Sequence, residues 1–256
     1  MFRFKPLRKL VMFVLFLCLC IGNAAADYAS DISSIMTTFT YQNIMASSAP
    51  QQQVNGAYRM VELLEVMAKE EGCSSSEISG IMSTFTYQNI MAGSAPQQLV
   101  NGTYRTVELL ELIARKIGCD TSSVSSIMTT FTYQNIMASS APQQAVNGSY
   151  RTVELLEQIA RKIGCDTGSV SGIMSTFTYQ NIMASSAPQQ LVNGTYRTVE
   201  LLELIARRIG CDSGSVSSIM STFTYQNIMA SSAVQQAVNG LYRSVEMLEL
   251  ITRKMQ

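Results

Sequence analysis

Apolar residues along the chain recur at helical spacing, and the whole pattern returns every 46 residues. Residues 127–142 read IMTTFTYQNIMASSAP and come back with few changes from Ile35, Ile81, Ile173 and Ile219. A fixed period of this length is the signature of tandem structural repeats that stack on one another. The period therefore predicts the architecture before any single residue is considered.

Each repeat reads as two helices joined by a short loop. In the third copy the hydrophobic spacing predicts a first helix over residues 122–139 and a second over residues 142–163. Asp120 or Thr121 suits the N-cap of the first helix, and Pro142 suits the first turn of the second, where a missing N–H costs little. The unit is thus a helical hairpin.

The second helix has one apolar and one polar side. The apolar arc at 100° per residue holds Val146, Val153, Leu155, Leu156, Ile159, Ala160 and Ile163, and the polar arc holds Asn147, Tyr150, Arg151, Glu154, Glu157 and Arg161. Gly164 stands where a C-cap needs left-handed backbone. Asn147-Gly148 is typical of a turn, so this helix begins either at residue 142 or at residue 147.

The first helix is apolar on two sides. Its two faces are Val124, Ile127, Met128, Phe131 and Ala138 on one side, and Tyr133, Ile136 and Met137 on the other. Two apolar faces predict a helix that is sandwiched between neighbouring repeats. The alternation of threonine and aromatic residues over 129–133 leaves a strand open, and with it a mixed α/β or β-solenoid repeat.

The first 26 residues have the pattern of a signal peptide. Arg3, Lys5, Arg8 and Lys9 are followed by an apolar run over residues 10–21 and by three alanines at 24–26. The run is too short to span a bilayer comfortably. The sequence therefore predicts a secreted, periplasmic or cell-surface protein with no stable membrane insertion after cleavage.

Residues 27–256 divide into five copies of 46 residues with nothing left over. The prediction is an all-α protein, an α-solenoid of five helical-hairpin repeats in a single domain, with copies at 27–72, 73–118, 119–164, 165–210 and 211–256. Asp27 replaces the cysteine that opens the other copies, and Gln256 replaces the C-cap glycine that closes them. Such weakly adapted terminal units would leave ends that can stack on other copies.

The charge of the chain bears on its partners. The full sequence has 18 basic and 18 acidic residues, and removal of the leader with its four basic residues leaves a net charge of −4. A mildly acidic chain without a basic patch is a poor nucleic-acid binder, so no nucleic acid is expected as a partner.

Few residues suggest catalysis or metal binding. The sequence has no histidine, which removes the commonest general base and metal ligand. Glu154 and Glu157 recur as a carboxylate pair. The pair could act as the acid and base of a hydrolase, but a solvated helix face with ion pairs explains it better. No enzyme activity, cofactor or metal is predicted.

The four cysteines of the repeats are Cys73, Cys119, Cys165 and Cys211. They occupy equivalent positions in stacked repeats, roughly 8–10 Å apart and beyond disulfide reach. Buried free thiols are therefore expected, with an intermolecular disulfide as the alternative.

Three polar features leave further alternatives open. The segments at Asn101, Asn147 and Asn193 fit the N-glycosylation sequon and fall on the polar arc. Thr130 and Thr132 resemble the threonine pairs of ice-binding surfaces. Asn135 on the first helix is expected to make a structural hydrogen bond, for instance to an asparagine of the next repeat.

A tyrosine beside an arginine recurs on the polar arc of the second helix, and these residues are the predicted binding surface. Its members are Tyr58, Tyr104, Arg105, Tyr150, Arg151, Tyr196, Arg197 and Tyr242. Tyrosine and arginine are common at binding hot spots, and a stripe of them would be multivalent. The alternative is that the rings pack on the next repeat. The predicted function is a non-enzymatic scaffold for a protein, peptide or glycan; the alternative is a self-associating structural protein.

Overall fold

The computed structural model describes residues 25–256, and every regular element in that range is a helix. Ten helices follow in chain order: α1 (Ala25–Met45), α2 (Ala49–Glu70), α3 (Ser75–Met91), α4 (Ala95–Lys116), α5 (Thr121–Met137), α6 (Ala141–Lys162), α7 (Thr167–Met183), α8 (Ala187–Ile209), α9 (Ser213–Met229) and α10 (Ala233–Met255). The predicted all-α solenoid of helical hairpins is confirmed, and the strand alternative is wrong. Apart from its last two residues, the predicted leader lies outside the described range.

The hairpins close into a ring. The even-numbered helices, called the inner helices here, pack each on the next from α2 to α10, and α10 packs back on α2. The odd-numbered, outer helices each pack on their own inner helix and on the preceding one, and α1 completes the set by packing on α10. Within residues 25–256 no outer helix contacts another. Because the first and last repeats cover each other, the expectation of exposed ends that stack on other copies is wrong.

Contacts between neighbouring inner helices are called joints below, and the joint between α10 and α2 is the seam. The ring also has two different rims. At one rim the outer helices end and the inner helices begin, for example through the loop 138–140 between α5 and α6. At the other rim the inner helices end and the next outer helices begin.

Local sequence sets the helix ends. Ser140 precedes α6 in extended backbone, and a proline follows in the first turn. Gly164 has a φ of 80°, and the N–H of Cys165 then donates to the carbonyl of Ala160 at 2.9 Å. This is the left-handed C-cap that the glycine predicted. Asp166 begins the next outer helix by accepting a hydrogen bond from the N–H of Ser169 at 2.7 Å.

The Asn-Gly pair inside each inner helix is not a turn. Helix α6 starts at Ala141 and continues through Gly148, so the possibility that it begins at residue 147 is wrong. A Cβ on Gly148 would lie 2.8 Å from the Cβ of Thr103 on the preceding inner helix. A helical glycine costs about 1 kcal/mol relative to alanine, and here it allows the two backbones to approach closely. The same close approach recurs at Gly56, Gly102, Gly194 and Gly240.

Inner helices are buried on nearly all sides in their middle part, residues 145–156 in α6. Val153 and Leu155 of α6 lie on different sides of the helix and are both fully buried. On the ring axis the inner helices leave a cavity of about 20 Å³, lined in part by Thr103, Ser149 and Thr195. This space suits about one water molecule. The ring is therefore a packed core and has no open channel at this level.

Candidate functional site

The five tyrosines of the predicted stripe lie inside the joints. Each ring packs edge to face on a phenylalanine of the next outer helix, with centroids 5.0 Å apart for Tyr150 and Phe177 and also for Tyr242 and Phe39 across the seam. The rings are partly buried, and burial raises the pKa of each of the five to about 12. They therefore hold neighbouring repeats together, in agreement with the alternative that the rings pack on the next repeat.

The stripe's arginines, Arg105, Arg151 and Arg197, are buried, with 8% exposure each. Nη1 of Arg151 lies 2.6 Å from Oε2 of Glu154, one turn further along the same helix. Burial lowers the pKa of Arg151 and raises that of Glu154. The predicted exposure of this face is wrong, because a helix in a closed ring has neighbours on both flanks as well as at its back.

The sequon asparagines are buried and hydrogen-bonded. Asn147 is 5% exposed, and its Nδ2 donates to the carbonyl of Phe131 at 3.2 Å and to Oδ1 of Asn135. Asn135 thus makes its structural bond within its own repeat, and the suggested bond to the next repeat is wrong. The same pairing recurs in all five repeats. An amide buried in this way is not accessible to glycosylation in the folded chain.

All four cysteines of the described range are free within the chain, and the intermolecular disulfide stays a prediction. Cys119 and Cys165 are buried, and Cys73 and Cys211 are partly buried. Burial raises the pKa of all four thiols, which keeps them in the less reactive protonated form.

The remaining candidate side chains are engaged within their own helices. Oε1 of Glu157 lies 2.8 Å from Nη2 of Arg161, so both carboxylates of the predicted pair are ion-paired. Thr130 and Thr132 donate their hydroxyls to carbonyls four residues earlier, at 2.9 and 3.0 Å. They stand on a helix, without the strand array that an ice-binding surface would resemble.

Fifteen large apolar side chains near the C-terminal ends of the outer helices are exposed. In α5 they are Tyr133, Ile136 and Met137, with exposures of 64%, 77% and 64%. The equivalents are Tyr41, Ile44, Met45, Tyr87, Ile90, Met91, Tyr179, Ile182, Met183, Tyr225, Ile228 and Met229. We call this set the crown. Outer helices have no neighbour beyond them, so the prediction that their second apolar face is sandwiched between repeats is wrong.

Charge is absent around the crown. From Val124 to Tyr150 the third repeat has no Asp, Glu, Lys or Arg, and the corresponding stretches of the other repeats also have none. All charged side chains of the described chain therefore lie from the middle of the inner helices towards the opposite rim. We call the two ends the crown rim and the charged rim.

The crown residues border the gaps between outer helices. Ile136 and Met137 are consecutive, so they point about 100° apart, and Tyr133 lies between them on the side away from the buried Phe131. One residue thus faces each flanking gap. Towards the charged rim the gap between α1 and α9 opens into a cleft of about 670 Å³. Met36, Arg243 and Glu246 are among its lining residues, and no crown side chain lines it.

Other kinds of site find no support in the described chain. Residues 25–256 contain no cluster of three or more acidic or cysteine side chains that could hold a metal ion. None of the ten helices is long and apolar enough to cross a membrane. No family model, curated protein or solved structure matches the chain, so only its own geometry bears on its function.

Proposed function

We propose that this chain is an exported, non-enzymatic scaffold that docks its partners through the crown. The observation that carries the proposal is the fivefold display of Tyr133, Ile136, Met137 and their equivalents on a rim without charge. An exposed apolar patch with polar surroundings commonly marks an interaction site, and here three large apolar side chains stand together at each of five equivalent places. The fifteen crown side chains are each 63–78% exposed, and one aromatic side chain alone can bury roughly 150–250 Å².

The form of the crown favours an apolar partner surface. No charged group stands near it to form an ion pair, and the neighbouring serines and threonines use hydroxyls on their own helix carbonyls. Apolar burial therefore supplies the binding energy, at about 25 cal/mol for each Å² removed from water. A protein or peptide with an apolar face fits this chemistry better than a glycan.

Five equivalent sites on a rigid ring also make binding multivalent. A single small site binds weakly. A partner that reaches two or more sites binds more tightly, because the second contact forms at a high effective concentration. The tyrosine and arginine stripe does not take part in this proposal, because its side chains hold the joints.

The test replaces the crown isoleucines, Ile44, Ile90, Ile136, Ile182 and Ile228, by asparagine. The matched control replaces the exposed hydroxyl residues two turns earlier, Thr37, Ser83, Thr129, Ser175 and Ser221, by asparagine. We expect association with copies of the chain, or with partners captured from its native fluid, to disappear in the crown variant alone. Both variants should melt like the parent, since all substituted positions are exposed. Equal association by the crown variant and the parent would overturn the proposal.

A further inference from the structure

We infer that the crown docks on the crown of a second copy, so that two rings stack coaxially with their outer helices interleaved. This inference rests on the proposed function and names its partner. It follows from the spacing of the outer helices, the fivefold display, the distribution of charge and the apolar area.

The first step is the width of the gaps. Helices pack with axes 8–10 Å apart, so five inner helices in a closed ring lie on a circle of roughly 8 Å radius. Outer helices one packing distance further out then have axes roughly 19 Å apart, which is about twice the packing distance. This agrees with the absence of contacts between outer helices in residues 25–256. Each gap is therefore about one helix wide.

The second step is the number of gaps. A partner that fills all five at once must present five equivalent helix ends on a circle of the same radius. A second ring is such a partner. Turned over about an axis perpendicular to the ring axis, it would place each outer helix antiparallel between two outer helices of the first ring. The contact would be isologous, with Ile136-type residues meeting each other on one flank and Met137-type residues on the other.

The third step is charge. Two identical charged faces repel each other, but the crown rims carry no Asp, Glu, Lys or Arg. In the interleaved pair the charged rims point outward, on opposite ends. A net charge of −4 on residues 27–256 of each chain would oppose stacking of two charged rims. The assembly therefore stops at two rings.

The fourth step is area. The one tyrosine of a crown site buries roughly 150–250 Å² at most, and with one isoleucine and one methionine beside it the site stays below the ~800 Å² that each partner contributes to a standard stable interface. All five sites together exceed that value. Coaxial pairing, which uses all five at once, is accordingly favoured over side-by-side contact through one outer helix.

The experiment measures the mass of the purified chain, expressed from the full-length sequence, by light scattering across a range of concentrations. We expect twice the 28.1 kDa of one full-length chain, less any leader removed during export. The fivefold Ile136-type asparagine variant should have the mass of one chain, and the Thr129-type control should keep the mass of two. A single-chain mass for the parent at all concentrations, or a mass that grows without limit, would overturn the inference.

A cross-link tests the arrangement itself. Cysteine in place of Met45, Met91, Met137, Met183 and Met229 should give a chain pair on a non-reducing gel after mild oxidation, because these side chains meet across the interleaved helices. The parent, which has only its native thiols, is the control for this gel and should stay a single chain, since Cys119 and Cys165 are buried and Cys73 and Cys211 are partly buried. Failure of the variant to cross-link while its mass is still that of two chains would overturn the interleaved arrangement.

Failure of the inference can be separated from failure of the proposed function. If the parent is a single ring that binds another protein, or vesicles of neutral phosphatidylcholine, and loses that binding in the asparagine variant, the second copy is wrong as the partner but the crown remains the docking surface. If the parent is a single ring and the variant behaves like it in every binding assay, both proposals fail.

Discussion

The ring has five joints, and the charge at the C-terminal end of the inner helix distinguishes the seam from the four joints inside the chain. At the internal joints a cation from the next repeat reaches the C-terminal end of the preceding inner helix. Arg208 Nε, for example, donates to the carbonyl of Ile163 at 2.9 Å, and Lys162 Nζ approaches Gly118. At the seam the corresponding residue is Glu70. A helix C-terminus favours a cation, so the seam has the wrong charge there.

Elsewhere the seam repeats the internal joints closely. Tyr242 packs on Phe39 with the same centroid distance of 5.0 Å that Tyr150 and Phe177 have. Gln53 adds a hydrogen bond from its Nε2 to the carbonyl of Val234 at 3.4 Å, and Val234 stands where the other inner helices have proline. The comparison shows that the aromatic pairs and the close glycine contacts are kept at the seam, whereas the cation at the C-terminal end of the preceding inner helix is not.

Removal of one whole repeat should lower the stability of the ring more than any other change considered below. Deletion of residues 119–164 leaves four hairpins whose curvature suits five, so the seam cannot form without strain. Each large apolar side chain that loses its burial costs about 2–5 kcal/mol. We expect the melting temperature, followed by circular dichroism, to fall by about 10 °C or more.

A circular permutant provides the control for that deletion. It links Gln256 directly to residue 27 and opens the chain in the loop 138–140, which keeps all five joints. We expect its melting temperature to stay close to that of the parent. If the deletion melts as high as the permutant, ring closure contributes little to stability.

High pH should weaken all five joints together. Burial raises the pKa of Tyr150 and its four equivalents to about 12, from an ordinary value of 10.0. The folded chain thus holds these protons more tightly than the unfolded chain, and this contribution is fully present below pH 10 and lost as the pH rises through 12. Urea midpoints measured across that range should fall steadily, together with the appearance of phenolate absorbance. A constant midpoint would contradict the packed position of the rings.

The close helix contacts can be compared by matched alanine substitutions. A Cβ at position 148 would meet Oγ1 and Cβ of Thr103 at 2.7 and 2.8 Å, whereas a Cβ at position 56 would meet only Cβ of Leu241 below 3.0 Å. We expect Gly148→Ala to lose about 1–2 kcal/mol, because overpacking outweighs the gain in helix propensity. Gly56→Ala should lose less. Equal losses in urea unfolding would contradict the closer contact at Gly148.

The smallest expected effect concerns the seam's charge. Glu70 has a buried Oε1 without a hydrogen-bond partner in the described chain, and burial raises its pKa. Glu70→Lys supplies the cation that the internal joints have and should stabilise the ring by about 0.3–1 kcal/mol. The reciprocal change, Lys162→Glu, should destabilise an internal joint by a similar amount. A loss of stability from Glu70→Lys would show that the seam is not organised like the other joints.

The sequence predicted the hairpins well because their signals are local. Gly164 needs left-handed backbone, Asp166 caps the next helix, and the apolar spacing defines the helices within one or two residues. Closure of the ring depends on the rotation between repeats, which the hydrophobic pattern does not show. The same limit explains the crown: a helix wheel identifies Ile136 and Met137 as apolar but does not show which apolar face has no neighbour.

The wrong prediction that the tyrosine stripe faces solvent has the same physical origin. A wheel divides α6 into a buried and a wet half, and Tyr150 and Arg151 fall on the wet half. In the ring that half contacts the next repeat. The Asn-Gly pair failed as a signal for a related reason, since Gly148 is required by the adjacent helix and not by its own backbone conformation.

Closure also restricts how this gene product can change in length. Near-identical tandem copies are prone to gain or lose a unit during replication, and an open array tolerates such changes because its ends simply move. Here each hairpin contributes one fifth of a full rotation, so a chain with four or six units would have a gap or an overlap at the seam. Natural selection would then act on the copy number itself, as a whole number fixed by geometry.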